Sequence, residues 1–101
     1  MKRAVLWAVL FLLYPLIAFG EVYSVSPEGM SVTQALALCR DGDVIELEGG
    51  TYSEDRESFP IVIDKAVVLR AARGESPVID APAFKAAIRV EADGVALEGL
   101  D

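Results

Sequence analysis

Four carboxylates crowd into the stretch Asp41–Tyr52, DGDVIELEGGTY, at Asp41, Asp43, Glu46 and Glu48. Carboxylates at that density could hold calcium, which takes about six to eight oxygens from a converging loop. The spacing argues otherwise. Asp41 and Asp43 flank Gly42 as in a tight turn, and Glu46 and Glu48 share one outer face of a strand whose other face carries Ile45 and Leu47. Neither a DxDxDG loop nor a nonapeptide calcium repeat is present. The aspartates are therefore assigned to turn chemistry and the glutamates to solvation. Asp64, Asp80 and Asp101 each follow an apolar run and read as turn or strand-exit residues. The cations Lys65, Arg70, Arg73, Lys85 and Arg89 are scattered. Histidine is absent, so no imidazole can bind a metal or shuttle a proton. There is no Ser-His-Asp set, phosphate loop or zinc spacing. No catalytic, cofactor-binding or metal-binding residue is assigned, and no cofactor is expected.

Two further side chains have a chemical and a bland reading. Cys39, the only cysteine, lies on an apolar helical stripe with no base nearby, so it is expected to be buried rather than a reactive thiol. Tyr52 follows the Gly49-Gly50 corner. Its ring is expected to pack over the end of a core; the alternative is a platform on which a sugar ring stacks.

The first 20 residues have the form of a secretory signal peptide. Met1-Lys2-Arg3 is basic, and Ala4–Phe19 is apolar apart from the Tyr14 hydroxyl. Ala18 and Gly20 put small residues at the −3 and −1 positions of a cut before Glu21. The apolar run of 16 residues, broken by Pro15, is short of the ~20 that span a bilayer. The expected location is therefore secreted: periplasm, exterior or cell surface, with no stable membrane insertion after cleavage. Removing Lys2 and Arg3 takes the net charge from −7 to −9. Such an acidic chain repels phosphate backbones, which disfavours nucleic acid as a partner. One cysteine forms no internal disulfide, although short secreted domains commonly need such staples.

The remaining elements must position whatever the chain does. Glu21–Val25 reads as a strand ended by the turn Ser26–Gly29. Ser31–Arg40 is the one expected helix, with a Ser31/Gln34 capping box and Val32, Ala35, Leu36 and Cys39 on one face. Arg40 is expected in its last turn and Gly42 at its left-handed stop. Val44–Glu48 is a strand, Gly49-Gly50 a corner needing positive φ, and Ser53–Ser58, SEDRES, a solvated loop. Short strands then follow at 61–63, 66–70, 77–79, 87–90 and 95–98.

Two of these units repeat. Ile61-x-Ile63 precedes Ile88-x-Val90 by 27 residues, and Val67-x-Leu69 precedes Val95-x-Leu97 by 28. A period in the twenties marks a solenoid, in which each unit buries its apolar face against the next. Three short strands per period fit a parallel β-helix. They predict that 61–63 stacks under 88–90 and 67–69 under 95–97, with Pro77-Val78-Ile79 on a third face. Arg70 then aligns with Glu98 as an outward opposite-charge pair.

The succession of a capped helix, GDVIELEGGTY, PIVIDKAVVLRAA and AIRVEADGVALEGL resembles the N-terminal end of secreted right-handed parallel β-helix proteins of the pectate lyase-like superfamily. The resemblance covers roughly Val25–Asp101. It implies an all-β fold with an N-terminal strand and capping α-helix over 21–43, Val32–Asp43 being the plug and the entry to the first rung, and about two rungs over 44–101. The asparagine ladders common in such coils are missing, because the chain has no asparagine. The resemblance further implies an exported protein that binds or cleaves polysaccharide, as a lyase or hydrolase. A lyase would need a metal or arginine and a base converging on one face. The five cations do not supply that pattern, so this segment alone is expected to be inactive, with calcium relevant only in a longer parent. The alternative is the start of a cell-surface structural or adhesive solenoid. The pattern also breaks off at Gly99-Leu100-Asp101 without a polar cap. A longer parent protein is therefore expected, with the last rung exposing its edge, Leu97 and Leu100 and prone to self-association.

Overall fold

The computed structural model describes residues 20–100; residues 1–19, which hold nearly all of the expected leader, and Asp101 lie outside the described residues. Eight strands and one helix follow in the order β1 (Val22–Val25), α1 (Val32–Leu38), β2 (Val44–Leu47), β3 (Gly50–Tyr52), β4 (Ile61–Ile63), β5 (Val68–Ala71), β6 (Pro77–Ile79), β7 (Ile88–Val90) and β8 (Ala96–Glu98). The regular elements of the described chain are thus mostly strands. Every pairing is parallel, in three sheets ordered β1-β2-β5-β8, β3-β6 and β4-β7. The chain visits the three sheets in turn through β2, β3 and β4, then in the same order through β5, β6 and β7.

The predicted registers hold. Ile61 sits beside Ile88 and Ile63 beside Val90, while Leu69 sits beside Leu97 and Arg70 beside Glu98. The third-face segment Pro77–Ile79 pairs with β3, a strand that sequence reading takes for a corner. Gly50 supplies the positive φ, at 125°, and itself begins β3. A Cβ there would meet Pro27 Cγ at 2.6 Å, so glycine is needed for space as well as for backbone conformation.

Alternation along each strand sends one set of side chains inward. Val25, Ile45, Leu47, Ile61, Ile63, Val67 and Leu69 are buried between the sheets. Full burial of each such aliphatic side chain contributes about 1.5–3 kcal/mol. Burial thins toward the later strands, where Val78, Val90 and Leu97 are exposed, Phe84 is fully so and Leu100 is half-buried.

Helix α1 packs on β1, β2 and β4 through Val32, Ala35 and Leu36. The capping box forms as predicted: Ser31 Oγ accepts from Gln34 N, and Gln34 Oε1 accepts from Ser31 N, both at 3.0 Å. The helix is shorter than expected. It ends at Leu38, and Cys39, the C-cap, is extended. Arg40 therefore lies outside the last turn. Gly42, at φ 91°, shapes the turn into β2 instead of stopping the helix.

Candidate functional site

The carboxylates of the opening stretch bind backbone amides. Asp41 Oδ1 accepts from Ala66 N at 2.8 Å. Asp43 is buried, its Oδ1 accepting from Glu21 N at 2.8 Å and its Oδ2 from Arg40 N at 2.7 Å. Both aspartates thus do more than shape a turn: each ties the turn to the neighbouring sheet layer. Glu46 Oε2 receives Arg70 Nε and Nη2 at 3.1 and 3.0 Å. Arg70 does align with Glu98, but its ion pair is with Glu46 on the preceding strand, which corrects the predicted partner. The pair is partly solvated and contributes under about 1 kcal/mol.

Glu57 corrects a larger expectation. The SEDRES segment reads as uniformly solvated, yet Glu57 is 5% exposed. Its Oε2 accepts from Val32 N at 2.8 Å, and its Oε1 from Thr33 N at 2.9 Å and Thr33 Oγ1 at 2.8 Å. Helix N-termini leave their first amides without partners inside the helix. Here Glu57 takes Val32 and Thr33, Ser31 takes Gln34, and the negative charge suits the helix dipole. No local pattern announces this residue. Its partners lie 24 and 25 positions earlier, about one layer away.

A surface concavity lies at the β2–β3 corner, an open cleft of about 540 Å³ over Gly49 and Gly50. Glu28, Glu48 and Glu75 line it with Ser26 and Thr51. Glu75 Oε1 accepts from Gly49 N at 2.7 Å, fixing one wall. These groups can accept hydrogen bonds from a polyol's hydroxyls. The lining contains no amine, guanidinium or thiol. Among the described residues, no group of three or more carboxylates and cysteines is placed to hold a metal ion.

The cations do not gather at this cleft or elsewhere. Lys65 Nζ donates to Leu36 O at 2.6 Å, closing the C-terminal end of α1. Arg89 pairs with Glu91 at 2.8 Å, and Arg73 and Lys85 are exposed. Tyr52 is a core residue, 1% exposed, whose single O–H lies 2.6 Å from Glu48 O, with Val25 O also within reach at 3.2 Å. Burial, aided by the charges of Glu48, Glu57 and Glu75, pushes its phenol up to about 12. No face of the ring is free to stack on a sugar. Cys39 is buried and donates to Leu36 O at 3.4 Å. Burial raises its thiol pKa, with Lys65 partly opposing, which leaves it an inert core group.

The fold and these contacts define a class: a mostly-β protein of stacked parallel strands with one capped helix, tied between layers by buried carboxylates. Residues 27–76, from the turn before α1 to the turn before β6, match the family described as "Protein of unknown function (DUF1565)". No curated protein and no solved structure matches the chain.

Proposed function

We propose that this chain forms the helix-capped opening rungs of a right-handed parallel β-helix in an exported protein that binds or cleaves polysaccharide, and that the segment binds without catalysing. The observation that carries the fold is the order in which the strands visit three parallel sheets, twice over, with α1 packed on the first strands. The match over residues 27–76 supports it, since that family is associated with β-helix proteins. The carbohydrate reading rests on the cleft at Gly49-Gly50, whose carboxylates and hydroxyls suit the hydroxyls of a neutral glycan. They would repel a uronate polymer, because the cleft holds no cation to neutralise it.

Affinity electrophoresis of the exported chain through gels cast with neutral and uronate polysaccharides tests this. Retardation in a neutral glycan, with neither new reducing ends nor unsaturated uronate released, is the expected result. Unchanged mobility in every glycan would reject the binding reading, and product release would reject the noncatalytic one. A structural or adhesive role at the cell surface is the second reading. Its support is that Asp41, Asp43, Glu46, Glu57 and Glu75 all bond within the chain, as carboxylates of a scaffold do.

A further inference from the structure

We infer that Asp43 is a docking site for the α-ammonium group that export creates at Glu21; the inference rests on the reading of residues 1–20 as a cleaved leader. Three observations meet here. Glu21 N already lies 2.8 Å from Asp43 Oδ1, and Asp43 is 5% exposed. The position of Glu21 is set from its other side, where Val44 N donates to Glu21 O at 2.8 Å and continues the β1–β2 ladder. Finally, Gly20 is crowded: a Cβ there would overlap Asp43 Oδ1 and lie 2.5 Å from Gly42 O. A continuing chain passes this point only as glycine.

Cleavage changes the chemistry at a fixed geometry. A signal peptidase adds water across the Gly20–Glu21 peptide bond. The leader leaves with the Gly20 carboxylate, and Glu21 keeps its nitrogen, protonated as an ammonium. The single amide N–H facing Asp43 becomes a cation with three N–H donors. Its bond to the carboxylate becomes charge-assisted, roughly twice as strong as a neutral one. Departure of Gly20 also removes the residue crowded against the Gly42 carbonyl. Gly20 thus answers two demands at once, the small residue the peptidase takes and the only residue the folded corner admits. The processed end is clamped onto the turn that closes α1 and opens β2.

The test uses the full chain, exported with its own leader from a secreting bacterial host. Intact mass and N-terminal sequencing come first, with Glu21 expected as the first residue. Any other N-terminus rejects the leader reading, and the inference with it. The α-amine is then acylated at neutral pH in buffer and in concentrated urea, with labelling sites read by mass spectrometry. Glu21 is expected to react at least about tenfold more slowly in buffer than in urea. In Asp43→Asn its rate in buffer should rise toward the urea value, while Asp43→Glu retains most of the protection. Lys65, held on Leu36 O, reports in the same spectra whether each variant is folded. A Glu21 rate equal in buffer and urea overturns the inference although processing stands, as does an Asp43→Asn rate unchanged from wild type. Should Lys65 lose its protection in Asp43→Asn, the wild-type ratio decides alone: about tenfold supports the clamp and parity overturns it.

Discussion

Replacing Glu57 should unfold α1 from the rest of the molecule, and the size of the effect follows from the contacts. Glu57→Ala removes three hydrogen bonds to a buried carboxylate and leaves the Val32 and Thr33 amides without partners. Val32 is 0% exposed, so water cannot replace what is lost at its amide without opening the packing. Each orphaned buried amide costs about 1–3 kcal/mol. The two share one carboxylate, so their losses overlap, and a total of about 3–5 kcal/mol is expected. A seven-residue helix has little stability of its own to set against that. Total stability for a unit of this size is about 4–12 kcal/mol, so Glu57→Ala should be at or near the unfolding threshold. Glu57→Gln keeps one acceptor oxygen but loses the charge, and turns a donor toward a donor. About 1.5–2.5 kcal/mol is expected there, which keeps the variant measurable. Urea unfolding followed by far-ultraviolet circular dichroism is the assay, since the only tryptophan, Trp7, precedes the folded strands. A Glu57→Ala loss under about 0.5 kcal/mol would refute the reasoning, because it would mean that solvent reaches these amides as readily as the carboxylate does.

Two further outcomes follow from the same structure. Leu69 and Leu97 are register partners on adjacent strands, but the first is 0% and the second 46% exposed. Leu69→Ala should cost about 2–5 kcal/mol and Leu97→Ala under about 1 kcal/mol by urea unfolding; equal losses would mean that the later strands are covered in solution. Tyr52→Phe should cost about 1–1.5 kcal/mol by removing the one O–H shared between Glu48 O and Val25 O. The folded phenol, at about 12, stands above its unfolded value of about 10. Its contribution is therefore fully present below pH ~10 and is lost as pH rises from there through about 12. The wild-type urea midpoint should fall more steeply over that window than that of Tyr52→Phe, and parallel curves would contradict the assignment.

Sequence and structure agree where information is local and part where it spans a layer. Strand positions follow from alternation, a property of neighbours, so 61–63 and 77–79 are found to the residue. The helix start follows from a cap three residues long. The repeat was visible only in part. β4 to β7 and β5 to β8 are 27 and 28 residues apart, but β1 to β2 is 22 and β2 to β5 is 24. Turns of differing length lie between layers, and a search at one period sees only the layers that share it. The corner at Gly49-Gly50 concealed β3 because glycines in a strand carry no pattern of side chains.

The polar residues that matter most were concealed for a different reason, and it bears on what kind of protein this is. Asp41, Asp43, Glu46, Glu57 and Glu75 read as turn or surface residues, yet each bonds a residue 22 to 26 positions away. Those separations are one layer of the stack. An acidic residue at a layer edge has two options, water or the amides and cations of the next layer, and local sequence does not distinguish them. The backbone ladders hold strands together within a sheet, but the turns between sheets have amides that no ladder reaches. This chain has no asparagine, and carboxylates accept from such amides. A carboxylate accepts from two or three donors at once, as Asp43 and Glu57 do, but brings a charge that each layer must accommodate. The net charge of −7 is thus partly a product of how the layers are joined, and not only a surface adapted for solubility or a ligand. DGDVIELEGGTY is the joint where this is densest: Asp43 clamps β1, Asp41 reaches the segment entering β5, Glu46 takes Arg70, and Gly49 takes Glu75. Of the acidic residues in this stretch, Asp41, Asp43 and Glu46 bond within the chain, and only Glu48 lines the open cleft.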